Sequence, residues 1–232
     1  MSKNLKYIDL SFSDNLIRTP DFSGVPNLEE LRLSYCNRLV EIHPSIGQLS
    51  RLRYLYLGSC CKLTDFPCMS AVSLPISLTE LDLSSCLKIS LFPKFTGIMK
   101  SLSKLSLNWT AIEKVEPSSI ECLTALAFLD LSGCRNLKCL PSNMDNLKSL
   151  ETLDLSLCSK LKSLPRLPST VTYVDAKGSS LKWSPKRVNL SIWSQPFSQW
   201  LPYDESGSRV GFTILFHFLE VISSRSLSLS LS

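Results

Sequence analysis

The sequence predicts an α/β solenoid in which each repeat contributes one strand to a parallel sheet and returns through a short irregular or helical segment. Two observations lead there. One phrase recurs seven times between Leu5 and Pro165, nearly verbatim at Leu78-Thr-Glu-Leu81-Asp-Leu83-Ser-Ser-Cys86, Leu126-Ala-Phe-Leu129-Asp-Leu131-Ser-Gly-Cys134 and Leu150-Glu-Thr-Leu153-Asp-Leu155-Ser-Leu-Cys158. Its first leucine falls at Leu5, Leu28, Leu52, Leu78, Leu102, Leu126 and Leu150, in steps of 23, 24, 26, 24, 24 and 24 residues, and a regular period of this size marks stacked coils.

Within a unit, apolar residues follow the first by three, five, eight and eleven places, and a proline comes near fourteen to sixteen; Leu28, Leu31, Leu33, Cys36, Leu39, Ile42 and Pro44 show the whole pattern. Leu81 and Leu83 alternate as a strand requires, so Asp82 between them faces the opposite way. A single unit has nothing to cover its apolar face. Stacking removes the leucines from water, at roughly 25 cal/mol per Å² of apolar area. This is the leucine-rich repeat, expected as a right-handed, curved solenoid with the sheet on its concave side.

The first unit, from Leu5, has no cap before it, so its open edge is expected to be exposed, and Met1 reads as lying inside a longer ancestral protein. The eighth unit is degenerate. Val171, Val174 and Ala176 keep the strand spacing, but after only 21 residues and with Pro168 just before, as suits a terminal coil. The repeat domain is therefore expected over 1–181, with a non-repeat tail over 182–232. That tail holds Trp183, Trp193 and Trp200, an apolar run from Val210 to Ile222 that fits strand and helix equally, and a low-complexity Ser-Leu end. The apolar run is shorter than the ~20 residues needed to span a bilayer.

Of nine cysteines, Cys36, Cys60, Cys86, Cys134 and Cys158 all stand eight places after the first leucine, where stacking makes them a buried ladder. Cys61, Cys68, Cys122 and Cys139 show no paired spacing. The odd total and the missing signal peptide favour a reducing compartment. The sequons at Asn108 and Asn189 read as chance triplets in a Ser-rich chain.

Little points to catalysis. His43 and His217 are the only histidines, neither in a metal or nucleophile motif, and there is no phosphate-loop or dinucleotide fingerprint. No cofactor or metal is expected. The net charge of +5 is not gathered into a basic stripe, which argues against nucleic-acid binding.

What the repeat does supply is an open sheet face. Its centre row is expected to be Asp9, Arg32, Tyr56, Asp82, Ser106, Asp130, Asp154 and Asp175; the row two places earlier is Tyr7, Glu30, Tyr54, Glu80, Lys104, Phe128, Thr152 and Tyr173. A third row, just after the strands, holds Phe12, Tyr35, Ser59, Ser85, Trp109, Gly133, Leu157 and Gly178. On this face an aromatic group of Tyr35, Tyr54, Tyr56, Trp109 and Phe128, with Arg32, has the composition of a binding hot spot, and Asp130, Asp154 and Asp175 form an acidic column. Two readings stand side by side: a protein-binding surface, or scaffold aspartates and strand-favouring tyrosines.

Two stretches, from Asn15-Leu-Ile-Arg-Thr-Pro-Asp-Phe-Ser to Leu31 and Leu39-Val-Glu-Ile-His-Pro-Ser-Ile-Gly-Gln-Leu49, closely resemble the repeats of plant TIR-NB-LRR intracellular immune receptors, as does Leu107-Asn-Trp-Thr-Ala-Ile through Pro117-Ser-Ser-Ile120. The resemblance covers about residues 3 to 181 and implies a non-catalytic role in defence. Its implied partner is a pathogen effector or an NB-ARC/TIR-containing receptor chain, and its implied location is the cytoplasm, with the nucleus also open. No positions match the family's NAD-hydrolase or phosphate-loop residues. The alternative is a nonfunctional or structural fragment of a truncated resistance gene.

Overall fold

In a computed structural model, residues 2–64, 74–95 and 97–181 are described. Eight three-residue strands, β1 (Tyr7–Asp9), β2 (Glu30–Arg32), β3 (Tyr54–Tyr56), β4 (Glu80–Asp82), β5 (Lys104–Ser106), β6 (Phe128–Asp130), β7 (Thr152–Asp154) and β8 (Tyr173–Asp175), form one parallel sheet in chain order. The expected tail, with its tryptophans, His217 and the Asn189 sequon, lies outside the described residues, as does Cys68.

Register follows from the leucines. Ile8, Leu31, Leu55, Leu81, Leu105, Leu129, Leu153 and Val174 pair successively across the sheet. A slip by one residue would turn each of these into water and bury a charge or tyrosine instead. From Leu31 to Leu153 these central residues are fully buried, as are the flanking leucines from Leu28 to Leu155. On the far side Phe22, Ile46, Ile89, Phe92, Ile120 and Met144 close the core. Short helical turns carry that side: 3-10 turns at Pro44–Gln48 and Met144–Asn146 and a helix, α1, at Pro117–Cys122. Two of the three begin on proline, whose missing N–H costs nothing at a helix start.

The first and last described coils are less buried than those between them. Leu5 is 36% exposed whereas its counterpart Leu28 is 0% exposed, and Ile8 and Leu10 are only half-buried. In the last coil Val171 is buried but Val174 is half-buried.

The cysteine ladder is present, and its chemistry is specific. The thiols of Cys36, Cys60, Cys86, Cys134 and Cys158 are fully buried, and each donates to a carbonyl of the preceding coil: Leu10, Leu33, Leu57, Leu107 and Leu131, at 3.1–3.2 Å. Burial pushes the Cys60 and Cys158 thiols up to about 12, so they remain protonated donors. Thr110 takes the ladder position in the fifth coil, its hydroxyl donating to the Leu107 carbonyl at 2.7 Å and lying 3.3 Å from the Cys134 sulfur. Thr110 is buried, whereas Asn108, the first residue of that sequon, is half-buried.

The row just after the strands departs from a simple continuation of the sheet. Phe12, Tyr35, Ser59, Ser85, Trp109 and Leu157 all take positive φ, between 56 and 62°, and Gly133 and Gly178 take 67 and 70°. In coils two to seven the backbone turns over four residues, as where Cys36 N–H donates to Leu33 C=O at 3.3 Å and Cys134 N–H to Leu131 C=O at 3.1 Å. The third residue of such a turn must be left-handed, the type II arrangement that favours glycine. Six larger residues accept a strain of about 1 kcal/mol each because their own N–H groups continue the ladder. Tyr35 donates to Gly58 C=O at 2.8 Å and Trp109 to Ser132 C=O at 2.8 Å.

Candidate protein-binding face

The open face of the sheet carries the two expected rows, one residue from each end of every strand. Strand pairing sets them side by side at about 4.8 Å. Tyr7, Glu30 and Tyr54 are successive pairing partners, as are Asp9, Arg32 and Tyr56. Because each strand is only three residues long, nearly every side chain on this face has a cross-strand neighbour.

Over β1 to β3 those neighbours build one cluster around Arg32. Its guanidinium lies 5.5 Å from the Tyr7 ring centre and 5.4 Å from that of Tyr56, held between them, and its Nε donates to Glu30 Oε1 at 2.6 Å. Cation–π contacts at this range contribute roughly 0.5–1 kcal/mol each when exposed. Tyr7 donates in turn to Asp9 Oδ2 at 2.9 Å and Tyr56 to Glu80 Oε2 at 3.4 Å. Burial, and then the charges of Glu80 and Glu30, pushes the Tyr56 phenol up to about 12, so it stays a donor. Arg53 lies over the Tyr54 ring at 5.6 Å. The network ends on Lys104, which pairs with Glu80 at 2.7 Å and sits 5.9 Å from the Phe128 ring centre.

The expected single aromatic group is instead four separate sites. Tyr54 and Tyr56 belong with Arg32. Phe128 lies three strands further on, about 14 Å away, with Glu80 and Lys104 between. Tyr35 and Trp109 sit in the left-handed turns, which carry them off the strand rows to the rim. Tyr35 stacks on Phe12 there, ring centres 4.7 Å apart and planes within 3°. The Trp109 indole rests on Gly133, where an added Cβ would meet its ring at 2.6 Å, and Arg135 covers it at 5.2 Å. Phe12, Glu30, Glu80, Lys104, Arg53 and Arg135 thus join residues that the spacing alone singled out. Charge alternation across adjacent repeats was the available signal for Glu30, Glu80 and Lys104.

The aspartates also do local work. Asp9, Asp82, Asp130, Asp154 and Asp175 each accept, through Oδ1, the backbone N–H two residues on at 2.8–2.9 Å. This Asx turn guides the strand into the bend. Bonds from the Ser11 side chain and backbone hold Asp9 below the usual carboxylate range. Asp130 moves the other way, raised mainly by burial and further by the Asp154 charge, against bonds from Ser132 and Asn108.

Among the described residues no group of His, Cys, Asp and Glu is arranged to hold a metal ion, and no helix is long and apolar enough to cross a membrane.

Comparison with known proteins finds leucine rich repeats within the described array. The leucine rich repeat model matches residues 76–135, and a two-copy leucine rich repeat model matches 26–70. TMV resistance protein N of Nicotiana glutinosa is 41% identical over 134 residues, 58% of this chain and 11% of that protein. Disease resistance protein RPS6 of Arabidopsis thaliana is 40% identical over 122 residues, 52% of this chain and 10% of that protein. The chain thus corresponds to a small part of these relatives' length. Among solved structures, the leucine-rich repeat domain of the type III effector XopL aligns over 73% of this chain and 76% of that one, at 21% identity and a TM-score of 0.44. Coil period, strand order and sequence together make this a leucine-rich-repeat chain whose repeats are related to those of plant disease-resistance proteins.

Proposed function

We propose that the chain is a non-catalytic protein-interaction module of a plant defence receptor, binding a pathogen effector or an NB-ARC/TIR-containing receptor chain through the open face of its sheet. The observation that carries this reading is the pre-set cluster of Tyr7, Arg32 and Tyr56 side by side on one face of the sheet. Tyrosine and arginine are enriched among binding hot spots, and tyrosine brings a large contact area with few rotamers to freeze. Here the rings already hold the guanidinium, so little further ordering is needed on binding. Arg32, Tyr35, Tyr54, Tyr56, Trp109 and Phe128 are the proposed anchors, with Asp130, Asp154 and Asp175 as a polar flank. The reduced thiols that the ladder bonds require fit the cytoplasm or nucleus.

The test is retention of partner proteins from infected and healthy tissue by the immobilised chain, compared with the Tyr54→Ala/Tyr56→Ala variant. Truncating two anchors is expected to weaken retention at least about tenfold, at ~1 kcal/mol or more for each hot spot. Equal retention by a folded variant would remove the anchor assignment.

A further inference from the structure

Past its left-handed residue the chain turns a second time, and six coils do so alike. Leu16, Leu39, Leu63, Ile89, Leu137 and Leu161 each donate a backbone N–H to the carbonyl three residues earlier, at 3.0–3.1 Å, which leaves two residues at the tip of every such turn. Those tips carry five cations, Arg38, Lys62, Lys88, Arg135 and Lys160, against one carboxylate, Asp14, which already accepts from Asn37. The row forms only on stacking, since its members belong to different coils that lie roughly 4.8 Å apart at the sheet. All five cations are exposed, and among the described residues none of them forms an ion pair. Lys160 donates to Asn136 Oδ1 at 2.8 Å and Arg135 covers the Trp109 ring at 5.2 Å, partners that carry no charge.

The row is broken at the fifth coil. Between Thr110 and the buried Ile112 this coil has one residue where the coils on either side have two, so the second turn is missing. Ala111 N–H donates instead to Ile89 C=O of the coil before, at 2.9 Å, which ties the backbone down there. The absent tip leaves a gap between the fourth and sixth coils, about 10 Å across at twice the coil spacing. Leu87, 57% exposed, and Lys88 form one lip and Arg135 the other. A cation on each lip beside an exposed leucine suits a glutamate, whose methylenes pack on the leucine while its carboxylate reaches a cation. In an extended segment, side chains of one face recur every ~6.7 Å, and the long lysine and arginine stems follow that spacing along the tips. A nucleic acid stacks its bases on free ring faces, whereas Trp109, the ring nearest the gap, rests on Gly133 and is covered by Arg135. We propose that this edge of the array receives an extended acidic segment of a protein partner, one glutamate of which enters the gap of the fifth coil between Lys88 and Arg135. The turn edge is a second surface, beyond the sheet face of the proposed function.

The experiment uses the full chain and three fluorescein-labelled probes read by anisotropy: a peptide of alternating glutamate and serine, a peptide of alternating arginine and serine, and a single-stranded oligonucleotide of thymidines. The acidic peptide is expected to bind and the basic one not to. Lys62→Gln/Lys88→Gln/Arg135→Gln should hold the acidic peptide about tenfold more weakly. Lys3→Gln/Arg51→Gln/Lys100→Gln removes the same charge from the segments leading into the strands and should lose about twofold or less. Ala111→Tyr, which fills the gap without changing charge, should also weaken binding, and thermal melting confirms the fold of each variant. No binding by the wild-type chain, equal losses in the two charge variants, or undiminished binding by folded Ala111→Tyr would each overturn the proposal. So would an oligonucleotide that binds as tightly as the acidic peptide and is lost with the same three cations. The Tyr54→Ala/Tyr56→Ala variant is expected to hold the acidic peptide as the wild type does; loss of the peptide there would assign it to the sheet face, overturning this proposal alone and leaving the protein-binding reading standing.

Discussion

Gly133 is the position where one methyl group reports most on how the rim is built. An alanine Cβ there would lie 2.6, 2.8 and 3.0 Å from three atoms of the Trp109 indole, well inside the ~3.5–4 Å of a comfortable carbon contact. The indole must lift by about 1 Å, giving up part of its seat on the turn and its contact with Arg135, a loss of ~0.5–1 kcal/mol for a ring already 39% exposed. The backbone adds its own cost, since φ is +67°. A left-handed alanine costs ~1–2 kcal/mol, offset by ~0.4–1 kcal/mol from the stiffer unfolded chain. Gly133→Ala should therefore destabilise by ~1–2 kcal/mol, lowering the midpoint by about 2–8 °C for an array of this size. In a Trp109→Ala background the steric part vanishes, and the same change should cost only ~0.5–1 kcal/mol, a coupling of about 0.5–1 kcal/mol. Urea melts of the four proteins measure both numbers. A Gly133→Ala cost that is the same in both backgrounds would refute the seat, and a cost within ~0.3 kcal/mol of zero would refute the turn strain as well.

Asp130→Asn should make the array more stable than the parent at neutral pH. Burial raises the Asp130 carboxyl in the fold above its ordinary 3.8, so the penalty for its charge is present above the folded value and disappears as pH falls below 3.8. The stability gap between variant and parent, measured by urea melts across that range, should close in acid; a gap that widens there would contradict the assignment. The Tyr54→Ala/Tyr56→Ala variant, changed on the open face rather than in the core, should keep a cooperative melt while losing partner retention. A collapse of its melt would assign the two tyrosines to the scaffold instead.

Much of this molecule is readable from spacing. Leucine and cysteine positions determine strand order, register, the core and the thiol ladder, because burial recurs at the same place in every coil. The strand rows follow from alternation, so Arg32, Tyr54, Tyr56 and Asp130 could be placed on one face from the sequence. Two things could not. Nothing in Phe12, Tyr35, Trp109 or Leu157 announces a left-handed backbone, since that conformation is imposed by the ladder hydrogen bonds of the coil. The aromatic group also divides, because adjacency along a repeat does not reveal that Glu80 and Lys104 pair across the gap between Tyr56 and Phe128. The aspartates combine both readings, binding their own turns through one oxygen while standing in the same row of the sheet face as Arg32 and Tyr56.

The stacking on which every surface assignment depends can be measured through the thiols. Native full-length chain treated with iodoacetamide and followed by peptide mass spectrometry should label the exposed Cys139 readily. Cys36, Cys60, Cys86, Cys134 and Cys158, buried and donating to carbonyls of the coil before them, should react at least about 100-fold more slowly, through opening of the stack. Labelling of these five at the rate of Cys139 in native buffer, with all six alike after denaturation, would contradict the stacked coils.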